Sequence, residues 1–154
     1  MPHIVDLEGP VHEADVIARI AGLWGTKAGS RIQDAIRNGC RLSERKGTVT
    51  RRGPFYWRPD GSCRPRSRAE AGIPGDRIAP EEFAEAIKLV LAGGQAFPRQ
   101  ALITETRAVM GYSRTGALLE QAIGNVVDGL VAAGILGEAS RGLMLRQTAA
   151  GGES

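Results

Sequence analysis

Apolar residues recur at helical spacing through most of the chain. From Glu13 to Trp24, the residues Val16, Ile17, Ile20, Leu23 and Trp24 fall three or four apart, and Gly25 stands where a C′ glycine closes a helix. A second helix is predicted from about Ser30 to Lys46, with Ser30 and Gln33 at capping-box spacing and Gly47 just past its end. At 100° per residue its apolar stripe is Ile32, Ala35, Ile36, Gly39 and Leu42, and its polar stripe is Arg37, Arg41 and Arg45 with Gln33, Asp34 and Asn38. TVT at 48–50, a turn at RRGP and FYW at 55–57 predict a small β-hairpin. Beyond residue 76 the pattern predicts a helix from Pro80 to about Leu91, helices near 98–110 and 115–133, and a hairpin of ILGE and LMLR around Arg141 and Gly142.

The two halves resemble each other. Sliding the chain by 87 positions pairs Gly29 with Gly116, Ile36 with Ile123, Asn38 with Asn125 and Gly47 with Gly134; an offset of 86 upstream pairs Val11 with Phe97, Ile17 with Ile103 and Gly25 with Gly111. This reads as a duplicated unit of about 65 residues. Helices followed by a hairpin are the order of a winged helix, in which the third helix can enter the major groove and the wing can touch the backbone. The expected fold is therefore mainly α with small β-hairpins, an α+β chain of tandem winged-helix-like (helix-turn-helix) repeats. The first unit covers 1–58, a proline- and glycine-rich linker 59–76, the second unit 77–147, and a disordered tail 148–154. The first helix of the first unit is expected to be truncated. Only MPHIVDLE remains to supply it, too short to hold a helix alone, so the chain reads as a fragment of a longer protein.

Composition narrows the function. Hydrophobic residues at 42% and charged residues at 24% over 154 positions describe an ordinary globular protein. No apolar run approaches the ~18–20 residues of a membrane span, and the N-terminus lacks the signature of a signal peptide. Cys40 and Cys63 lie far apart and away from His3 and His12, which excludes a zinc pattern and fits a reducing, cytoplasmic setting. No nucleophile with a base can be assembled, so neither an enzyme nor a cofactor is expected. Charge is uneven. Residues 1–76 hold 13 Lys and Arg against 9 Asp and Glu, residues 77–154 hold 7 against 8, and within 27–68 the count is 12 against 3. Such a local excess is how a phosphate-binding surface shows in sequence.

Several motifs carry a resemblance. Glu8, Gly9, Pro10, Val11 and His12, then Gly25, Gly29, Arg31 and Ile32 with Lys27 and Ala28, then Gly53, Phe55 and Trp57, are similar to the pattern of an uncharacterised C-terminal domain of large bacterial proteins that also carry superfamily 1 helicase and endonuclease-like domains. RIAPEE at 77–82 and RTG at 114–116 extend the likeness over nearly the whole chain. The resemblance implies a context, with helicase and nuclease domains of a parent polypeptide as partners, and no mechanism.

The expected function is a non-catalytic accessory module for nucleic acid, DNA first, with Lys27, Arg31, Arg37, Arg41, Arg45, Arg51 and Arg52 contacting mainly phosphates. The alternative is a protein-interaction module docking on other domains of the same polypeptide, because the second unit's long helix exposes Glu120, Gln121, Asn125 and Asp128. Phe55 and Trp57 are expected in the core rather than stacked on bases, and His12 as a helix cap or surface contact. GLWGTKAGS lacks the spacing of a phosphate loop, and Glu81, Glu82 and Glu85 suit the positive end of a helix dipole.

Overall fold

The computed structural model describes residues 1–69, 72–114 and 116–147, so the expected tail at 148–154 and Thr115 of the RTG motif lie outside the described residues. The chain is α plus β and divides into two compact units, Met1–Cys63 with Arg77–Ala79, and Arg64–Asp76 with Pro80–Ser154.

Unit 1 runs α1 (Pro2–Glu8), β1 (Val11–His12), α2 (Glu13–Leu23), α3 (Ser30–Arg45), β2 (Thr50–Arg52) and β3 (Phe55–Trp57). MPHIVDLE, expected to be too short to hold a helix alone, forms α1 against the core of unit 1. Pro2 is tolerated in the first turn, Val5 is fully buried, and Met1 and Ile4 pack on the same core as Val16, Ile36, Cys40 and Tyr56. Tertiary packing supplies what a seven-residue helix lacks in isolation. β1, too short to show a period, is a third strand beside the hairpin. Val11 pairs with Tyr56 and His12 with Phe55, giving the antiparallel order β1-β3-β2. The hairpin starts two residues later than TVT predicts, because the left-handed Gly53 (φ 57°) places the turn at Gly53 and Pro54.

Two face assignments are also corrected. In α3 the buried line is Ile32, Ile36 and Cys40, while Ala35, Gly39 and Leu42 point outward. Leu42 lies two residues past Cys40, about 200° around the helix, and is 50% exposed. In α2 the core takes Val16, Ile17 and Ala21, and Leu23 and Trp24 are exposed because the chain turns away at Gly25 (φ 65°). The capping box does not form either. Gly29 is the N-cap of α3, Ser30 is already helical, and the Gln33 amide donates to the Ala28 carbonyl at 2.8 Å.

Unit 2 runs α4 (Pro80–Leu91), α5 (Arg99–Val109), α6 (Ala117–Ala132) and an antiparallel hairpin of β4 (Leu136–Ala139) and β5 (Gly142–Leu145). Phe83, Ile87, Leu91, Leu102, Ile103, Ile123 and Leu136 are fully buried. Phe97 bridges Leu143 through two backbone hydrogen bonds of 2.9 and 2.8 Å. The segment from 64 to 76 contributes buried groups of its own. Arg68 reaches the fully buried Glu82 of α4 through two hydrogen bonds, at 3.0 and 2.6 Å, and Ile73 accepts a hydrogen bond from the Tyr112 hydroxyl. Glu82 thus serves as half of an interior ion pair.

The boundaries of the second and third helices in the two units correspond residue by residue. Helices α2 and α5 both have 11 residues and are offset by 86; α3 and α6 both have 16 and are offset by 87. The Val11–Tyr56 pair of unit 1 falls, under those same offsets, on the Phe97–Leu143 bridge of unit 2. Gly25 with Gly111, and Gly47 with Gly134, have positive φ at equivalent helix ends.

Candidate nucleic-acid interface

Helix α3 supplies most of the basic side chains, and its amphipathic fold sorts them. With Ile32, Ile36 and Cys40 anchored in the core, Arg31, Arg41 and Arg45 are left on exposed positions, and Lys27 is exposed in the loop before the helix. None of these four has an ion-pair partner among the described residues. Arg41 donates to the side-chain carbonyl of Asn38 at 3.2 Å. Arg52, on the exposed strand β2, stacks its guanidinium over the Trp57 ring at 4.5 Å.

Arg37 and Arg51 are placed differently. Glu13, at the start of α2, accepts from Arg37 Nε at 2.9 Å through one carboxylate oxygen and from an Arg51 guanidinium nitrogen at 2.9 Å through the other. One acid therefore joins three elements, α2, α3 and the hairpin. The Arg37 hydrogen bond, helped by the positive charge of Arg51, holds the Glu13 carboxyl below the ordinary glutamate range against the opposing effect of burial. Arg37 also contacts Asp34 and Gln33 at 3.4 Å. Arg51 further donates to the Gly53 carbonyl at 3.0 Å and lies 5.4 Å from the centre of the Tyr56 ring. The clasp was missed in sequence because its partners are 24 and 38 residues apart; the only local signal is an acid at a helix start between basic stretches.

Beside the clasp is a cleft of about 470 Å³ lined by His12, Glu13, Ile17, Gln33, Arg51 and Arg77. His12 is the N-cap of α2, its Nδ1 accepting from the Ala14 amide at 3.1 Å. Arg77 pairs with Asp15 at 3.2 Å.

The hairpin aromatics do not face outward. Phe55, Tyr56 and Trp57 are all buried, with Phe55 and Trp57 packed around Ala79 and Cys63. Burial pushes the Cys40 thiol up and does the same to the Tyr56 hydroxyl, so neither is poised to ionise near neutral pH. Among the described residues no group of three His, Cys, Asp or Glu side chains could hold a metal ion, and no helix is long and apolar enough to cross a membrane.

Residues 1–34 match the family described as "Protein of unknown function (DUF3320)". The matched segment comprises α1, β1, α2 and the opening of α3, and so contains Glu13 of the clasp together with Lys27 and Arg31. No curated protein and no solved structure matches the chain.

In unit 2 the positions equivalent to Arg31, Arg41, Arg45 and Lys46 are Leu118, Asp128, Ala132 and Ala133. Arg99, equivalent to Glu13, forms a two-point ion pair with Asp128 at 3.1 and 2.9 Å. The corresponding face of α6 therefore lacks the cations of α3.

Proposed function

We propose that this chain is a non-catalytic accessory module that binds nucleic acid, duplex DNA first, through unit 1, within a bacterial helicase- and nuclease-type polypeptide. Each unit is read as a winged helix. The order α1-β1-α2-α3-β2-β3, with the sheet arranged β1-β3-β2, supports that reading, α3 being the groove-facing helix and β2-β3 the wing. The observation that carries the proposal is the outward face of α3, where Arg31, Arg41 and Arg45 stand exposed without acidic partners. Lys27 and Arg52 flank them. Arg37 and Arg51 act from behind, fixing the wing against α3 through Glu13.

The test is binding of the 154-residue chain to a fluorescent duplex at two salt concentrations. A complex neutralising about four phosphates should weaken about 10²-fold between 50 and 200 mM salt. Replacing Arg31, Arg41 and Arg45 together by Glu should remove binding; a folded triple variant that binds like the parent refutes the proposal. For unit 2, the loss of cations from α6 favours the second reading, docking on protein. Co-purification with the helicase or nuclease domains of the parent polypeptide, lost on reversing the charge of Asp128, is its check.

A further inference from the structure

The outward face of α3 holds more than phosphate-binding charge. Arg31, Ala35, Asn38, Leu42 and Arg45 fall within an arc of about 80° when each residue turns about 100°, and all five are exposed. From Arg31 to Arg45 the stripe is about 21 Å long at 1.5 Å per residue, the rise of roughly six base pairs. A surface that only neutralised phosphates would need cations on long stems and nothing else. This one includes the small Ala35, and beside it Gly39, where an added Cβ would meet no obstacle, so a groove floor can approach closely. It also has an amide and a half-exposed leucine between arginines.

Resting on the duplex-binding reading of this same face, we propose that α3 reads base edges in the major groove, so that the protein prefers particular duplex sequences. Asn38 has the donor and acceptor pair that matches the N6 and N7 edge of adenine, Leu42 offers apolar contact to a thymine methyl, and Arg31 and Arg45 match the O6 and N7 edge of guanine. The Arg41 guanidinium uses one of the two acceptor sites on the Asn38 carbonyl, which leaves the other for the adenine amino group and fixes which way the amide points. The wing offers unpaired bases no platform. Stacking platforms need exposed rings, and the rings of Phe55, Tyr56 and Trp57 are buried.

The experiment is enrichment from a pool of randomised duplexes with the whole chain, followed by anisotropy titration of enriched and scrambled duplexes. An enriched element of about four to six base pairs is expected. Asn38→Ala and Leu42→Ala, both at exposed positions that circular dichroism should show to fold normally, should lower the enriched-to-scrambled ratio. The loss at Asn38 should be about 5- to 150-fold, the worth of one bidentate base contact, while affinity for the scrambled duplex and its salt dependence stay unchanged. Salt-dependent binding without enrichment overturns base reading and leaves the proposed function standing. An enriched element whose preference survives both substitutions also overturns it, since the reader then lies elsewhere. Absence of binding to any duplex overturns both.

Discussion

The interior ion pair of unit 2 allows a worked prediction. Arg68 and Glu82 have side chains 5% and 0% exposed and meet through two hydrogen bonds, with Arg66 Nε a further 3.9 Å from the same carboxylate. At an effective dielectric of about 20, unit charges about 3 Å apart attract by about 5–6 kcal/mol. Desolvating the two ions costs several kcal/mol for each, so the intact pair adds little net stability. Removing one partner is different. The attraction is forfeited and the desolvation cost of the survivor stays, which places Arg68→Met or Glu82→Leu at about 3–5 kcal/mol.

Arg66 makes the two substitutions unequal. In Arg68→Met it remains beside Glu82 as a partial counter-ion, so the loss falls at the low end, whereas Glu82→Leu removes the carboxylate that both guanidiniums approach and costs more. The double variant Arg68→Met/Glu82→Leu removes both charges of the pair, leaves the partly exposed Arg66, and should lie closer to the parent than Glu82→Leu. Equilibrium unfolding in urea, with the midpoint compared at unchanged slope, measures all three. Trp24 and Trp57, the two tryptophans of the chain, both lie in unit 1. Far-UV circular dichroism must therefore carry the unit 2 transition. A cost below about 1 kcal/mol for Glu82→Leu, or a double variant as unstable as the sum of its singles, would refute the reasoning.

Ile36 and Ile123 are 4% and 0% exposed at equivalent positions of α3 and α6, and truncating either to Ala should cost about 2–5 kcal/mol in urea unfolding; losses under about 0.5 kcal/mol at both would mean that these faces are not core. Gly142→Ala should disrupt the Phe97–Leu143 bridge, because φ is 130° there and a Cβ would run into the Phe97 carbonyl; a cost of about 1–3 kcal/mol is expected, and unchanged stability counts against the placement of that strand. Glu13 has a depressed folded pKa, so its contribution is complete above the ordinary glutamate range and fades as pH falls through the folded value. Glu13→Gln should accordingly lower the melting temperature at neutral pH, with the gap to the parent closing below about pH 4; a gap that does not change with pH would show that the clasp does not act through charge.

What could be read from sequence follows the range of the interaction. Helices α2 to α6 declare themselves through period and punctuation, Gly25, Gly47, Gly111 and Gly134 each ending a helix by the positive φ that other residues resist. The helix α1 and strand β1 do not, since seven and two residues gain their structure from Val5 and Val11 entering a core assembled by distant segments. The α3 stripe was misplaced because Leu42 offered a second apolar direction, and only the packed partners of Ile32, Ile36 and Cys40 decide between them. Of the seven basic residues singled out, the structure brings Arg31, Arg41 and Arg45 to exposed positions on one helix and commits Arg37 and Arg51 to Glu13. Nothing local marks those two as different. A basic residue on a helix looks the same in sequence whether its charge faces solvent or an acid 24 positions away.

Comparison of the ion pairs at the starts of α2 and α5 shows how paired units can keep an arrangement of helices and change its charge. In unit 1 an acid at the start of α2, Glu13, reaches Arg37 on α3 and Arg51 on the hairpin. In unit 2 the equivalent residue is Arg99, whose guanidinium lies over Gly124, the position equivalent to Arg37, and pairs with Asp128, while Glu138 stands where Arg51 does. Coulomb attraction depends on the product of two charges, so the reversed pair Arg99–Asp128 ties α5 to α6 as Glu13–Arg37 ties α2 to α3. The field outside depends on their sum, and that sum is positive around Glu13 with its two arginines and negative around Arg99 with Asp128 and Glu138. A phosphate responds only to the sum. The fold therefore places no requirement on the sign of either face, and α3 and α6 carry different charge on equivalent positions.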